Sequence, residues 1–138
     1  MRTILFGGES GVSFTANAGL SLLRIFTGIA LALSHGIGKI PPSEGLINRS
    51  GELGFPLPIV FAWAAGLSEF VGGIFLALGF LTRISGFFIA FTMLVALIGV
   101  HGSDPFGKQE LAFMYLFVAL AFVLKGSSDW SIDSFLRK

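Results

Sequence analysis

Glu69 is the one charged residue in the stretch 57–82, which is otherwise apolar and long enough to cross a bilayer. A carboxylate held at that depth is costly unless it faces protein or water and finds a partner. Cationic and imidazole groups lie on the neighbouring apolar stretches. Arg24, Gly28, Leu31, His35 and Lys39 follow one another at intervals of four, three, four and four, which places them on one helical stripe. Arg83, Gly86, Ala90, Met93, Leu97 and His101 form a comparable stripe, and Glu110 opens the last apolar stretch. An acid, guanidinium groups, an ammonium and imidazoles inside a bundle can hydrogen-bond a ligand carbonyl and exchange protons with it. The expected ligand-binding set is therefore Arg24, His35, Lys39, Glu69, Arg83, His101 and Glu110, with no catalytic residue assigned. Glu69 is expected to accept charge-assisted hydrogen bonds from Arg24, Arg83 or both. The competing reading is a buried ion pair that only fixes helix packing, with Arg24 and Lys39 reaching toward headgroups.

Two histidines on different spans also raise bis-imidazole haem ligation. Any two histidines would raise it, so the weight falls on a quinone-like ligand instead. His35, His101 and Glu110 are chemically suited to a metal, but no close spacing such as His-x-x-x-His accompanies them, and no metal site is expected. There is no cysteine, which excludes disulfides, thiolate metal sites and a thiol relay on this chain. Nine basic against eight acidic residues leave a net charge of +1, no footing for nucleic acid.

The elements that must carry these groups follow from composition. At 138 residues the chain is one domain, and 54% hydrophobic with 12% charged residues is a membrane composition. Four apolar spans emerge at about 18–40, 58–80, 82–101 and 109–125, the first read as a retained span, not a cleaved signal. The fold expected is all-α, an integral membrane antiparallel four-helix bundle. Residues 126–138 form an interfacial tail with Trp130 as a headgroup anchor. The segment 41–56, rich in proline and glycine, is the one long loop and carries no catalytic motif. Around Glu69, Ala62, Ala65, Gly66, Gly72 and Gly73 make a small-residue face that lets helices approach closely. Gly28, Ala32 and Gly36 make a second such ridge, suited to a homodimer or to packing within the chain. Arg2, Arg24, Arg83, Lys125, Arg137 and Lys138 fall on one side, and Lys39, Arg49 and Lys108 on the other, which predicts both termini in the cytoplasm.

Several runs together resemble the DoxX family: Arg24-Ile-Phe-Thr-Gly28, His35-Gly36-Ile-Gly-Lys39-Ile40, Ala65-Gly66-Leu-Ser-Glu69-Phe-Val-Gly72-Gly73, Leu78-Gly79-Phe-Leu-Thr82-Arg83 and Trp130-Ser131-Ile132-Asp133. The resemblance implies a small four-helix protein of the bacterial inner membrane with a link to redox chemistry. Relatives of that kind include the membrane subunit of thiosulfate:quinone oxidoreductase and membrane partners of oxidative-stress enzymes. The function expected is a membrane subunit that supports quinone-linked electron transfer, with soluble oxidoreductases as partners. Two alternatives remain open: a small transporter or proton-conducting bundle, and a non-catalytic scaffold for soluble oxidoreductases.

Overall fold

A computed structural model describes residues 6–8 and 10–138. Arg2, counted above for orientation, lies outside the described residues. Among the described residues, four helices are long and apolar enough to span a membrane. The first, α1, runs Phe14–Leu31 and continues through a π turn, Ala32–Gly36, and a 3-10 turn, Ile37–Lys39. A short helix, α2, covers Glu44–Glu52. The remaining spans are α3, Pro58–Leu78, α4, Thr82–Val95 with a π turn at Ala96–Val100, and α5, Phe106–Lys125. A six-residue helix, α6, Ile132–Arg137, closes the chain. At about 1.5 Å per residue, α3 is about 30 Å long, the thickness of a bilayer's hydrocarbon core.

The packing is that of a protein in lipid. Phe26, Ile98, Phe117 and Leu124 are each more than 60% exposed, a belt no soluble surface would carry. Inside, helices meet through small residues. A Cβ on Gly28 would run into the backbone of Gly73 and Ala77, and one on Gly73 would stand 2.7 Å from the carbonyl of Gly28. The ridge Gly28, Ala32 and Gly36 is therefore occupied by α3 of the same chain, the second of the two uses expected for it. α4 and α5 form the other close pair, and α3 joins the two pairs by packing on α4. Leu31, Leu76, Ile89, Met93, Leu116 and Phe122 fill the space between.

The segment 41–56, read as loop, contains α2. Ser43 caps it by accepting from the Leu46 amide, and Glu44 sits in its positive first turn. Leu53, at its end, rests on Gly99 in the π turn of α4, where a Cβ would collide with it. The short helix is thus held down over α3 and α4.

At the opposite end the tail is built into the bundle. Gly79 ends α3 in the left-handed conformation, φ 67°, and Leu81 also takes positive φ, 47°, unusual for a branched residue. Asp133 holds this turn. Its carboxylate is fully buried and accepts from the Leu81 amide at 2.7 Å, the Thr82 amide at 2.9 Å and the Thr82 hydroxyl at 2.7 Å. It is an N-terminal cap for α4 supplied from fifty residues away. Arg24 donates to the Leu76 and Ala77 carbonyls at the end of α3 and to the Trp130 carbonyl. Asn17 and Asp129 exchange two hydrogen bonds, and Phe14 meets Trp130 edge-on. The Asn17 amide holds the Asp129 carboxyl below its ordinary value of 3.8.

Asp133→Ala would leave buried amides of a strained turn without partners and is expected to lower the unfolding free energy by about 3 kcal/mol. Thermal unfolding in detergent checks this, and a midpoint within error of the natural chain would contradict it. Because the Asp129 value is lowered on folding, its stabilisation is full above 3.8 and disappears as pH falls through the folded value. The stability gap between the natural chain and Asn17→Ala should therefore be constant near neutrality and narrow in acid; a gap that widens in acid would reverse the sign.

Candidate functional site

The carboxylate and its cation are brought together by the end of α1. After the π turn, a single 3-10 turn carries Lys39 back across α3, where its backbone lies directly on Gly66. A Cβ on Gly66 would stand 2.7 Å from the Lys39 carbonyl, so glycine permits this approach. From there the Lys39 ammonium donates to both oxygens of Glu69, at 2.7 and 2.6 Å. Glu69 is 2% exposed and Lys39 34%, so the acid is enclosed and the base stands at an opening. Glu69 thus takes a lysine, where Arg24 or Arg83 was expected. The reason is positional: both arginines are spent on helix ends. Arg24 binds the last carbonyls of α3, and Arg83 donates to the Leu124 carbonyl at the end of α5, at 3.3 Å.

The opening is a cavity of about 230 Å³ between α2, α3 and α4. Lys39 and Glu69 form its polar end. Phe55, Phe61, Phe88, Phe91 and Val95 supply apolar wall, and Leu46, Ser50 and Leu53 of α2 roof it, with Arg49 at the rim. Phe55 and Phe61 stack with centroids 4.2 Å apart. Ala96 and Val100, from the π turn of α4, complete the lining. The π turn of α4 therefore shapes the wall, while the π turn of α1 leads into the 3-10 turn that positions Lys39.

The ammonium has three hydrogens and gives two contacts to Glu69, leaving donor capacity toward the cavity. The carboxylate retains lone pairs for a hydroxyl donor. A ligand carrying a carbonyl or hydroxyl on a flat apolar ring meets complementary chemistry here, and the pair can share a proton with it.

The remaining expected residues make other contacts or stand exposed. His35 meets Tyr115 edge-on, centroids 5.7 Å apart, on the face of α1 toward α5. His101 caps its own turn, with Nδ1 2.7 Å from the Asp104 carboxylate, and Gln109 donates to the carbonyls of both. That contact holds Asp104 below the ordinary carboxylate range. Glu110 is exposed near the start of α5. Among the described residues, no group of three or more histidines, cysteines or carboxylates gathers as a metal site would require. Sequence reasoning missed the part played by α2. Ser43-Glu44 followed by Leu46, Ile47 and Ser50 is a capped amphipathic start, and that signal was available.

The DoxX family profile matches residues 19–102. The Bacillus subtilis protein named "Putative oxidoreductase CatD" is 35% identical over 121 residues, covering 87% of this chain and 88% of its own. The Escherichia coli "Inner membrane protein YqjF" is 35% identical over 130 residues, covering 88% and 95%. An uncharacterised Haemophilus influenzae protein is 32% identical over 128 residues, covering 86% and 92%. No solved structure matches significantly. With the profile spanning most of the four-helix bundle and these relatives covered almost end to end, the chain is a multi-pass membrane protein that belongs to the DoxX family.

Proposed function

We propose that this protein is a bacterial inner-membrane subunit that supports quinone-linked redox chemistry, its cavity holding the ring of a quinone-like ligand against Lys39 and Glu69. The observation that carries this reading is the buried ion pair opening onto an aromatic cavity. The pair is not sealed: the base is a third exposed and both partners line the space. The fit is chemical. Lys39 offers a hydrogen to a carbonyl oxygen, Glu69 accepts from a hydroxyl, and the stacked Phe55 and Phe61 present an apolar face to a ring. A bound quinone would supply two-electron, two-proton redox chemistry. The chain's own residues would bind the ring, orient it and hold or release a proton at Glu69, while Leu46 and Leu53 limit access of water. With no cysteine in the chain, electrons from a thiol donor would enter through a partner, consistent with the oxidoreductase name of one relative.

The cavity then lies toward the outer face and the tail toward the cytoplasm, where a soluble oxidoreductase could dock on exposed Trp130 and Phe135. A proton-conducting bundle is the weaker reading, because Arg24, on the same stripe as Lys39, is locked on backbone carbonyls at the other end. A scaffold that docks enzymes through its tail cannot be tested by truncation at Gly126, since that would remove Asp133 and the α4 cap.

Native mass spectrometry of the protein extracted with its lipids is expected to show a bound quinone. Lys39→Met strands the Glu69 carboxylate and should cost about 3–5 kcal/mol of stability. The double variant Lys39→Met with Glu69→Leu replaces the pair by apolar side chains and should recover most of that stability. It should nevertheless bind a chainless benzoquinone at least tenfold more weakly than the natural chain. A double variant that folds and binds equally well would leave the pair a packing device. In proteoliposomes, proton flux should be unchanged by Glu69→Gln; flux abolished by that substitution would promote the conducting bundle instead.

A further inference from the structure

The cavity at Lys39 and Glu69 is too small for a long amphiphile, and the structure provides a second space beside it. A groove of about 370 Å³ runs between α3 and α4, lined by Leu67, Val71, Phe75, Ile84 and Phe88. It is open to the bilayer: Leu67 and Phe88 are 43% and 52% exposed. Its floor is Gly72, where a Cβ would find only ordinary contact, 3.6 Å, with Ile89, so the hollow exists because no side chain fills it.

Two residues, Ala64 and Phe88, line both spaces. At the junction Thr92, from the cavity, donates to Ser68, from the groove, at 3.1 Å, a single polar contact that ties α4 to α3 where the two spaces adjoin. From Ala64 to Phe75 the groove follows α3 for about 16 Å. It starts beside the polar cavity and runs away from α2 along the lipid-facing side of α3 and α4. A polar head at one end and a hydrocarbon slot leading away from it is the outline of an amphiphile lying in a membrane.

We infer that the groove between α3 and α4 is the chain subsite of the same ligand, so that the protein takes a long-chain isoprenoid-type quinone, entering laterally from the bilayer, and not a short water-borne one. This rests on the reading of the cavity as a quinone-ring site. The alternative exit, past Arg49 at the rim, would put hydrocarbon in water, whereas the groove keeps it in apolar surroundings.

The test uses the full chain in nanodiscs of saturated phosphatidylcholine, with a benzoquinone carrying a diazirine midway along a prenyl-type chain. Photolabelling is expected within the segments 67–75 and 84–88, reduced at least fivefold by excess unlabelled long-chain quinone. Gly72→Leu, which fills the groove, should reduce labelling at least fivefold while affinity for chainless benzoquinone stays within twofold. Should that variant misfold, the natural chain still decides, since affinity per mole fraction in the bilayer must rise at least tenfold from the chainless to the long-chain compound. Labelling spread evenly over lipid-facing residues such as Phe117 and Leu124 would overturn the inference. So would labelling of the groove by an acyl-diazirine phospholipid that excess quinone fails to displace. Either result with chainless binding intact, and weakened by the Lys39→Met, Glu69→Leu double variant, removes the chain subsite alone. Absence of chainless binding in the natural chain removes the ring site beneath it.

Discussion

A carboxylate enclosed in apolar surroundings must find a cation or lose its charge, and in this bundle the need is met from a single place. Lys39 reaches Glu69 only because α1 loosens into a π turn, tightens into a 3-10 turn and crosses α3 on a glycine. Each step has a residue behind it. Gly36 lets the turn lie against the backbone of Phe70, Gly66 admits the Lys39 carbonyl, and the lysine side chain, from Cβ to Nζ, spans what remains. The pair in turn fixes where α1 ends. That leaves α2 to fold over the opening and creates the cavity beneath it. The polar site is thus a product of helix crossing, not a decoration of it.

The other end of the bundle solves a different problem with the same class of interaction. Helix ends in or near lipid expose carbonyls and amides that water does not satisfy well. Arg24 takes the carbonyls of α3, Arg83 takes one at the end of α5, and Asp133 takes the amides at the start of α4. These charges are here structural caps paired with backbone, Asp133 taking the Thr82 hydroxyl as well. The Leu-Gly-x-Leu-Thr-Arg turn and the Trp-Ser-Ile-Asp tail, separate runs in the chain, are the two halves of one lock, because Asp133 closes on Leu81 and Thr82.

The spans and the shelter of Glu69 were legible because hydropathy and small-residue spacing are local properties, read within one helix at a time. The identity of its partner was not. Arg24 and Arg83 were both open to it on sequence alone, and no periodicity announces that α1 will change its winding after Leu31. The cap made by Asp133 was illegible for a related reason: it joins positions fifty residues apart through backbone amides, which carry no sequence signature. The helix α2 could have been found from Ser43 and Glu44, but the surrounding prolines and glycines argued for loop, and it takes the packing of Leu53 on Gly99 to hold it.

The two helical hairpins, α1 with α3 and α4 with α5, are put together alike, and their difference explains why the site lies on one of them. Gly28 sits against Gly73 and Ala77; Gly86 sits against Ala119 and Val123. Arg24 caps α3 as Arg83 caps α5, and both leading helices end in a π turn. Four residues before Gly73 stands Glu69, and four before Ala119 stands Tyr115. The first is charged and needs a cation; the second is neutral and is content with the edge of His35. The first hairpin meets that need with a 3-10 turn after its π turn, which delivers Lys39, and the second ends its leading helix at the π turn alone. Between the end of α1 and α4 the cavity opens, so the half of the packing scheme that borders it is the one carrying an acid where its companion carries a phenol.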